Sequence, residues 1–328
     1  MAYIWSMESI KTLQEAVIHF ADYDNCFKMM VELRWPDGKV KCPHCDSEKV
    51  TYLAKTRVWK CYSGHERPTF SLKTGTVFEE SRIGLDKWLP ALWLVVNCKN
   101  GISSCELARD LGVTQKTAWF MAHRLRFALT DGGFGLLSGE VEADETFIGG
   151  KARNMHISER KRRITGTGGK DKTAVMGILE RGGNVRTIVI PNRKKSALQT
   201  EVRKHVEAGA ALYTDALLSY EGLEGDYAHM VVDHAVQYVD GRVHTNGLEN
   251  FWSLLKRGIN GTYVSVEPFH LFRYLDEQSF RYNNRATPDR PMNDADRFRL
   301  ALSQITGKRL TLKHLTGKDR ETDTAMFN

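Results

Sequence analysis

Three acidic residues in the second half of the chain are candidate ligands for divalent cations. Asp144 lies in the segment GEVEADETFIGGK, Asp215 follows the segment ALYT, and Glu249 lies in VHTNGLENFWSLLKRG. Carboxylate oxygens are the ligands that Mg²⁺ prefers, and two such ions can activate a nucleophile and stabilise a leaving oxygen in phosphoryl transfer. These residue types therefore suit a two-metal site for Mg²⁺ or Mn²⁺, provided that the fold brings them together.

Asp144 shares a predicted β-strand with two further acids, Glu140 and Glu142. Alternate residues of a strand face the same side, so the three carboxylates would project together. A solvated edge strand explains one or two of them. Three on one face repel one another unless water or a cation separates them, and the pattern favours a divalent-cation site.

Glu249 lies on a short predicted helix that starts at Asn246, its expected N-cap, and that Gly258 is expected to end in a left-handed conformation. Lys256 follows Glu249 by seven residues, about two turns along one side of the helix. Because Glu249 also follows Asn246 by three residues, a capping-box role competes for its carboxylate. The apolar face of the helix comprises Leu248, Phe251, Trp252 and Leu255.

The order of the surrounding elements is typical of an RNase H-like α/β fold, with a mixed sheet flanked by helices. In this fold the first strand, the fourth strand and a later helix meet at one edge of the sheet, which would unite the three acids. Asp215 could otherwise simply start the turn after its strand. We assign this catalytic domain to residues 139–300 and a polar C-terminal tail to residues 301–328.

Closely spaced cysteines near the N-terminus predict a zinc ribbon in residues 39–80, after a helical segment in residues 1–38. Two pairs of ligands separated by about 15 residues of β-hairpin are the layout of such a module, in which one zinc ion is structural. The alternative is that the cysteines are ordinary buried thiols, and His44 is an alternative fourth ligand. The predicted ligands are Cys42, Cys45, Cys61 and His65.

Residues 81–130 contain two predicted helices joined by a tight turn at Gly112, the layout of a helix-turn-helix. Thr114 would cap the second helix. A plain helical hairpin is the alternative. The polar and basic residues that the second helix would expose to DNA are Gln115, Lys116, Thr117, His123 and Arg124.

The composition favours a polyanionic partner, because the net charge is +7 and the pI is near 9.0. No segment is apolar for the roughly 18 residues that a membrane span requires. The first residues, MAYIWSMESI, do not resemble a signal peptide. We therefore expect a cytoplasmic protein that binds double-stranded DNA and no membrane.

The chain resembles bacterial insertion-sequence transposases that combine an N-terminal zinc ribbon with an RNase H-like DDE catalytic domain. The resemblance implies that Asp144, Asp215 and Glu249 are the catalytic triad. It also implies that Lys256 and its neighbour Arg257 contact DNA near the cleaved phosphate. The chain departs from the family pattern where His65 follows Cys61 after three residues. The matching stretches are CPHC, FSLKTGTVFEES, GISSCELARDLGVTQKTAWFMAHRLR, EADETFIGGK, YTDALLSY, HTNGLENFWSLLKRGINGTY and FHLFRYLDEQSFRYNNR.

The resemblance further implies a reaction and its partners. Water would cut the transposon end with the help of Mg²⁺, and the freed 3′ hydroxyl would attack target DNA without a covalent protein–DNA intermediate. The two DNA-binding modules would recognise inverted terminal repeats, and a homodimer or larger synaptic complex would hold two ends. Two alternatives are a DNA-binding regulator with an inactive RNase H-like domain and a nuclease that ignores terminal sequence.

Overall fold

The computed structural model describes residues 10–130, 135–150, 156–163, 172–232 and 244–318. Contacts divide the chain into two units. The first combines Met1–Thr130 with Ala286–Asn328, and the second is Asp131–Arg285.

The first unit opens with two helices, α1 (Leu13–Ala21) and α2 (Tyr23–Arg34). Both starts are set by side-chain caps. Thr12 and Glu15 form a reciprocal capping box at α1, and Asp22 accepts the backbone N–H of Asp24 at α2. The first nine residues of the predicted segment 1–38 lie outside the described residues.

A small antiparallel sheet follows, with β2 between β1 and β3. Its inner face is aromatic, because the ring of Trp59 stacks between Phe27 and Phe70 at centroid distances of 5.7 and 5.8 Å. On its outer face, Thr51, Lys60 and Thr69 lie side by side across the three strands. The strands are β1 (Val50–Leu53), β2 (Val58–Cys61) and β3 (Thr69–Phe70).

Three helices complete this part of the first unit: α3 (Leu85–Asn97), α4 (Ser104–Leu111) and α5 (Gln115–Ala128). Gly112 takes the left-handed conformation at the end of α4, with φ of 60°. Thr114 caps α5 by accepting the backbone N–H of Thr117. The two predicted helices and the turn between them therefore lie where the sequence placed them.

The second unit is built on a five-stranded mixed sheet with strand order β6-β5-β4-β7-β8. β4 pairs antiparallel with β5 and parallel with β7, β5 pairs antiparallel with β6, and β7 pairs parallel with β8. The strands are β4 (Glu140–Ile148), β5 (Thr173–Glu180), β6 (Val185–Ile190), β7 (Ala211–Asp215) and β8 (Ala228–Val232).

Helices cover both faces of this sheet. On one face, Leu198 and Val202 of α7 join a core that includes Val141 and Ala143 of β4. On the other face, a second core is formed by apolar residues of α8, α9 and the strands β5 and β6. This arrangement confirms the predicted fold class, a mixed sheet flanked by helices. The helices of the unit are α6 (Ile157–Arg163), α7 (Lys195–His205), α8 (Asn246–Arg257) and α9 (Leu271–Asn283).

The C-terminal segment corrects the predicted domain boundaries. Helices α10 (Asp294–Ser303) and α11 (Leu312–Leu315) belong to the first unit, although the sequence assigned 286–300 to the catalytic domain and 301–328 to a polar tail. The reason is apolar burial, since the ring of Phe298 packs between Phe20 and Trp93 at 5.4 Å from each. Residues 319–328 lie outside the described residues.

No helix within the described ranges is both long enough and apolar enough to cross a membrane.

Candidate active site and zinc-binding group

The sheet register brings two of the predicted catalytic acids to the same level. Glu142 of β4 pairs with Tyr213 of the parallel strand β7, so Asp144 and Asp215 each lie two residues further along neighbouring strands. Helix α8, which carries Glu249, packs on β4 and β5. The indole Nε1–H of its Trp252 donates to Asp144 Oδ2 at 2.9 Å and fixes the orientation of that carboxylate.

The three carboxylates share one electrostatic environment. Burial raises the pKa of Asp144, and the negative charges of Asp215 and Glu249 raise it further, while the hydrogen bond from Trp252 lowers it. The half-buried Asp144 carboxylate therefore lies within the electrostatic influence of two further carboxylates. Such a donor set fits a hard divalent cation.

Glu145, which is not among the site residues predicted from the sequence, directly follows Asp144 on β4. As the neighbour of Asp144 on a strand, it faces the other side of the sheet, where Tyr220 donates its hydroxyl to Glu145 Oε1. The pKa of Glu145 is raised to about 7, chiefly by burial. The hydrogen bond from Tyr220 lowers this pKa, and the negative charges of Asp215 and Asp144 raise it. The only signal in the sequence was the position of Glu145 directly after Asp144 in EADE.

The prediction of one cation site for all three acids of β4 is wrong for Glu140 and Glu142. Their charges are balanced by Arg181, whose Nε lies 2.9 Å from Glu142 Oε1 and whose Nη1 lies 3.3 Å from Glu140 Oε2. Arg181 comes from the turn after β5, because β5 runs antiparallel to β4 and ends beside these acids. The guanidinium therefore neutralises charges for which the sequence pattern predicted a divalent cation.

Both predicted ends of helix α8 also differ from the structure. The N-cap is Thr245 rather than Asn246, and no side chain of the helix's own start caps it, so Glu249 forms no capping box. Gly258 is right-handed, with φ of −62°, and the chain continues as a π-helical segment to Tyr263. The continuation follows from packing, because Ile259 and Tyr263 extend the same apolar core.

The four predicted zinc ligands form a compact group whose ligand atoms all lie within 4.8 Å of one another. Cys42 Sγ lies 3.3 Å from His65 Nε2, and Cys45 Sγ lies 3.7 Å from Cys61 Sγ. A tetrahedral zinc with Zn–S bonds of about 2.3 Å requires sulfur–sulfur separations of roughly 3.8 Å, so the arrangement fits the ion. The ring of the alternative ligand His44 lies beside that of His65, at a centroid distance of 5.5 Å.

Helix α5 presents some of the predicted DNA-contacting residues and not others. Lys116 is exposed, Gln115 Nε2 donates to Ser104 Oγ at 2.8 Å, and the hydroxyl of Thr117 lies 2.8 Å from that of Thr114. These residues lie at the start of the helix, next to the turn. In the second unit, Lys256 and Arg257 are exposed at the C-terminal end of α8.

Arg124 is not a surface residue, and its prediction as a DNA contact is wrong. Its side chain is buried, donates to the backbone oxygen of Glu79 and lies over the rings of Trp88 and Phe120. Burial lowers its pKa to about 10. His123, predicted to be exposed beside it, is buried as well.

Comparisons with known proteins agree with this architecture. Residues 136–283 match the family model for the ISXO2-like transposase domain, and residues 22–66 match the transposase zinc-ribbon domain. An uncharacterized protein in transposable element ISH50 of Halobacterium salinarum is 32% identical over 246 residues, which cover 71% of this chain and 81% of that protein. The chain belongs to the family of insertion-sequence transposases with an ISXO2-like domain.

A second relative of the transposase is shorter. An uncharacterized transposase-like protein of Haemophilus influenzae is 30% identical over 101 residues, or 30% of this chain and 81% of that protein. The match to the zinc-ribbon domain and the Cys₃His group together support a structural zinc ion in the transposase. The family resemblance inferred from the sequence is thereby confirmed.

Proposed function

We propose that this transposase cuts and joins DNA strands at the site formed by Asp144, Asp215 and Glu249. One observation carries the proposal: the register sets Asp144 and Asp215 at the same level of neighbouring strands, and α8, which carries Glu249, packs on β4 so that its Trp252 holds the Asp144 carboxylate. Repulsion among such groups is relieved when divalent cations bind between them.

The reaction is direct phosphoryl transfer. Water attacks the phosphorus at the transposon end and displaces the 3′ oxygen as a free hydroxyl. This 3′ hydroxyl then attacks a phosphorus of the target DNA and displaces a 3′ hydroxyl of the target strand. Asp144, Asp215 and Glu249 would hold two Mg²⁺ or Mn²⁺ ions, which would supply charge neutralisation for the nucleophile and the leaving oxygen. The chain's own contribution is to orient Asp144 through Trp252 and to contact the neighbouring DNA phosphates with Lys256 and Arg257.

Recognition of the terminal repeats belongs to the first unit in this proposal. Lys116 and its neighbours Gln115 and Thr117 at the start of α5 would contact base edges and phosphates, as in a helix-turn-helix. The outer face of the ribbon, with Lys60 between Thr51 and Thr69, offers the ammonium and hydroxyl groups that contact phosphates. We further propose that two or more chains pair two DNA ends, and that the protein acts in the cytoplasm.

The test is cleavage of a duplex that carries the element's terminal repeat, in the presence of Mg²⁺. We expect Asp144→Asn and Glu249→Gln to abolish cleavage, while both variants still bind the duplex. Asp226→Asn is the matched control, because Asp226 is an exposed acid of the same unit that pairs with Arg203. Cleavage by the first two variants at the wild-type rate would refute the site, and equal cutting of unrelated duplexes would favour a nuclease.

A further inference from the structure

Glu142 and Arg181 form a buried ion pair that the reaction proposed above does not use. The two side chains are 1% and 16% exposed, and Arg181 Nε donates to Glu142 Oε1 at 2.9 Å. Removing two charges from water costs free energy that their attraction only partly offsets, so such pairs are poor devices for stability alone. The other groups that Glu142 and Arg181 contact therefore indicate what the pair is for.

Glu142 caps the helix that carries Glu249. The backbone N–H of Leu248, in the first turn of α8, donates to Glu142 Oε2 at 3.0 Å. A carboxylate at this end satisfies an otherwise unpaired N–H and interacts favourably with the helix dipole. Gly247 leaves room for it, because a Cβ there would lie 2.8 Å from Glu142 Oε2. The first turn of α8 is thereby attached to β4.

Arg181 attaches two further segments. Its Nη2 donates to the backbone oxygen of His244, just before α8, at 2.6 Å. Its guanidinium lies over the ring of Tyr213 in β7, at 3.9 Å from the ring centroid. One ion pair therefore joins β4, β7 and the start of α8, which are the three elements that carry the acids.

Three of these attachment points lie one or two residues before one of the acids. Two residues along a strand span about 6.6 Å and return to the same face, so a shift of the attachment point moves the acid with it. We infer that the Glu142–Arg181 pair is a positioning device that sets the spacing of the three carboxylates; this inference rests on the proposed function. The attachment points and their acids are Glu142 with Asp144, Tyr213 with Asp215, and Leu248 with Glu249.

The test uses Glu142→Gln in the full-length protein, because glutamine keeps the size and one oxygen acceptor while removing the charge. We expect Mn²⁺ affinity, measured by electron paramagnetic resonance, to fall about 10- to 100-fold, as for other residues that orient metal ligands. Backbone amides in the first turn of α8 should exchange hydrogen faster than in the wild type. Arg181→Lys, which keeps the charge but loses the branched contacts, should give a smaller loss in both measurements.

Glu277→Gln is the matched control, because Glu277 forms a buried ion pair with Arg281 on α9, in the same unit. It should be destabilised to a similar degree yet keep wild-type Mn²⁺ affinity. The inference is overturned if Glu142→Gln leaves amide exchange in the first turn of α8 unchanged. It is also overturned if Mn²⁺ affinity falls no further than in the control.

A separate arm distinguishes this inference from the proposed function. If Asp144→Asn binds Mn²⁺ as tightly as the wild type, the proposed metal site is wrong, and amide exchange still decides whether the pair fixes α8. If Asp144→Asn loses Mn²⁺ while Glu142→Gln does not, the site stands and the positioning role fails.

Discussion

At the scale of single residues, the environment of Asp144 depends on a glycine directly beside it. Gly177 of β5 pairs with Asp144, and the indole of Trp252 lies over its Cα. A Cβ at position 177 would lie 2.6 Å from Trp252 Cζ2 and 2.8 Å from Leu248 Cδ2. Glycine therefore allows α8 to approach the sheet closely enough for Trp252 to reach the carboxylate.

Gly177→Ala should destabilise the protein and slow DNA cleavage. The extra methyl group forces the indole and α8 outward, which costs about 1–3 kcal/mol in a packed core. This exceeds the roughly 0.5–1 kcal/mol that alanine gains over glycine within a strand. The free energy of unfolding from urea denaturation checks the prediction.

Gly225→Ala is the control for this substitution, because nothing lies within 4 Å of a Cβ at that position. Its stability should stay within about 0.5 kcal/mol of the wild type. Equal stability of the two variants would show that α8 does not depend on Gly177.

At the scale of elements, the ribbon is too small to be stable by itself. Its third strand has two residues, and its strands β1 and β2 have four each. Two- and three-stranded sheets of this size require additional support from packing or a ligand. Aromatic rings support one face, and the Cys₃His group lies where the strand β2 meets the preceding cysteine knuckle.

The zinc content of ligand variants should therefore show whether His65 or His44 is the fourth zinc ligand. The wild type should contain about one zinc ion per chain, and Cys42→Ser and His65→Ala should lose most of it, because structural zinc requires all four ligands. His44→Ala should keep its zinc. The measurement is metal content by atomic emission after dialysis. Cys105→Ser is the control, since Cys105 is an exposed cysteine of α4 outside the ligand group. Full zinc in His65→Ala would exclude His65 as a ligand.

At the scale of the whole molecule, the excess of seven positive charges predicts DNA binding that weakens as salt increases. The net charge does not identify the contacting residues, because some cations serve within the protein. Arg181 balances two acids, and Arg124 is buried among aromatic rings. Only cations that are exposed, such as Lys116, can reach DNA phosphates.

Lys116→Ala and Arg124→Gln should therefore affect different properties, DNA affinity in the first variant and stability in the second. Loss of one phosphate contact reduces the slope of log affinity against log salt by about 0.9, so Lys116→Ala should bind DNA less tightly with unchanged stability. Arg124→Gln should lower the free energy of unfolding by about 1.5–3 kcal/mol, because a buried charged hydrogen bond is lost. Its salt slope should match the wild type. DNA binding by fluorescence anisotropy at several salt concentrations, with thermal unfolding, makes the comparison, and a reduced slope for Arg124→Gln alone would contradict it.

Local patterns in the sequence were enough to predict much of this protein. The turn at Gly112, the cysteine spacing and the strand–helix order are properties of short segments, and the structure bears out the elements that they predict. The choice of Asp144, Asp215 and Glu249 rested on the fold order and the family resemblance, and their catalytic role stays a prediction.

Only the tertiary structure decided which charged groups are available for chemistry. The sequence pattern predicted Glu142 as a metal ligand and Arg124 as a DNA contact. In the structure, Glu142 pairs with Arg181 and Arg124 donates to the backbone oxygen of Glu79, and both partners are distant in sequence. The start of α8 is likewise capped by Glu142, 106 residues before Leu248. Burial and long-range pairing depend on how strands and helices pack together, and no local pattern contains that information.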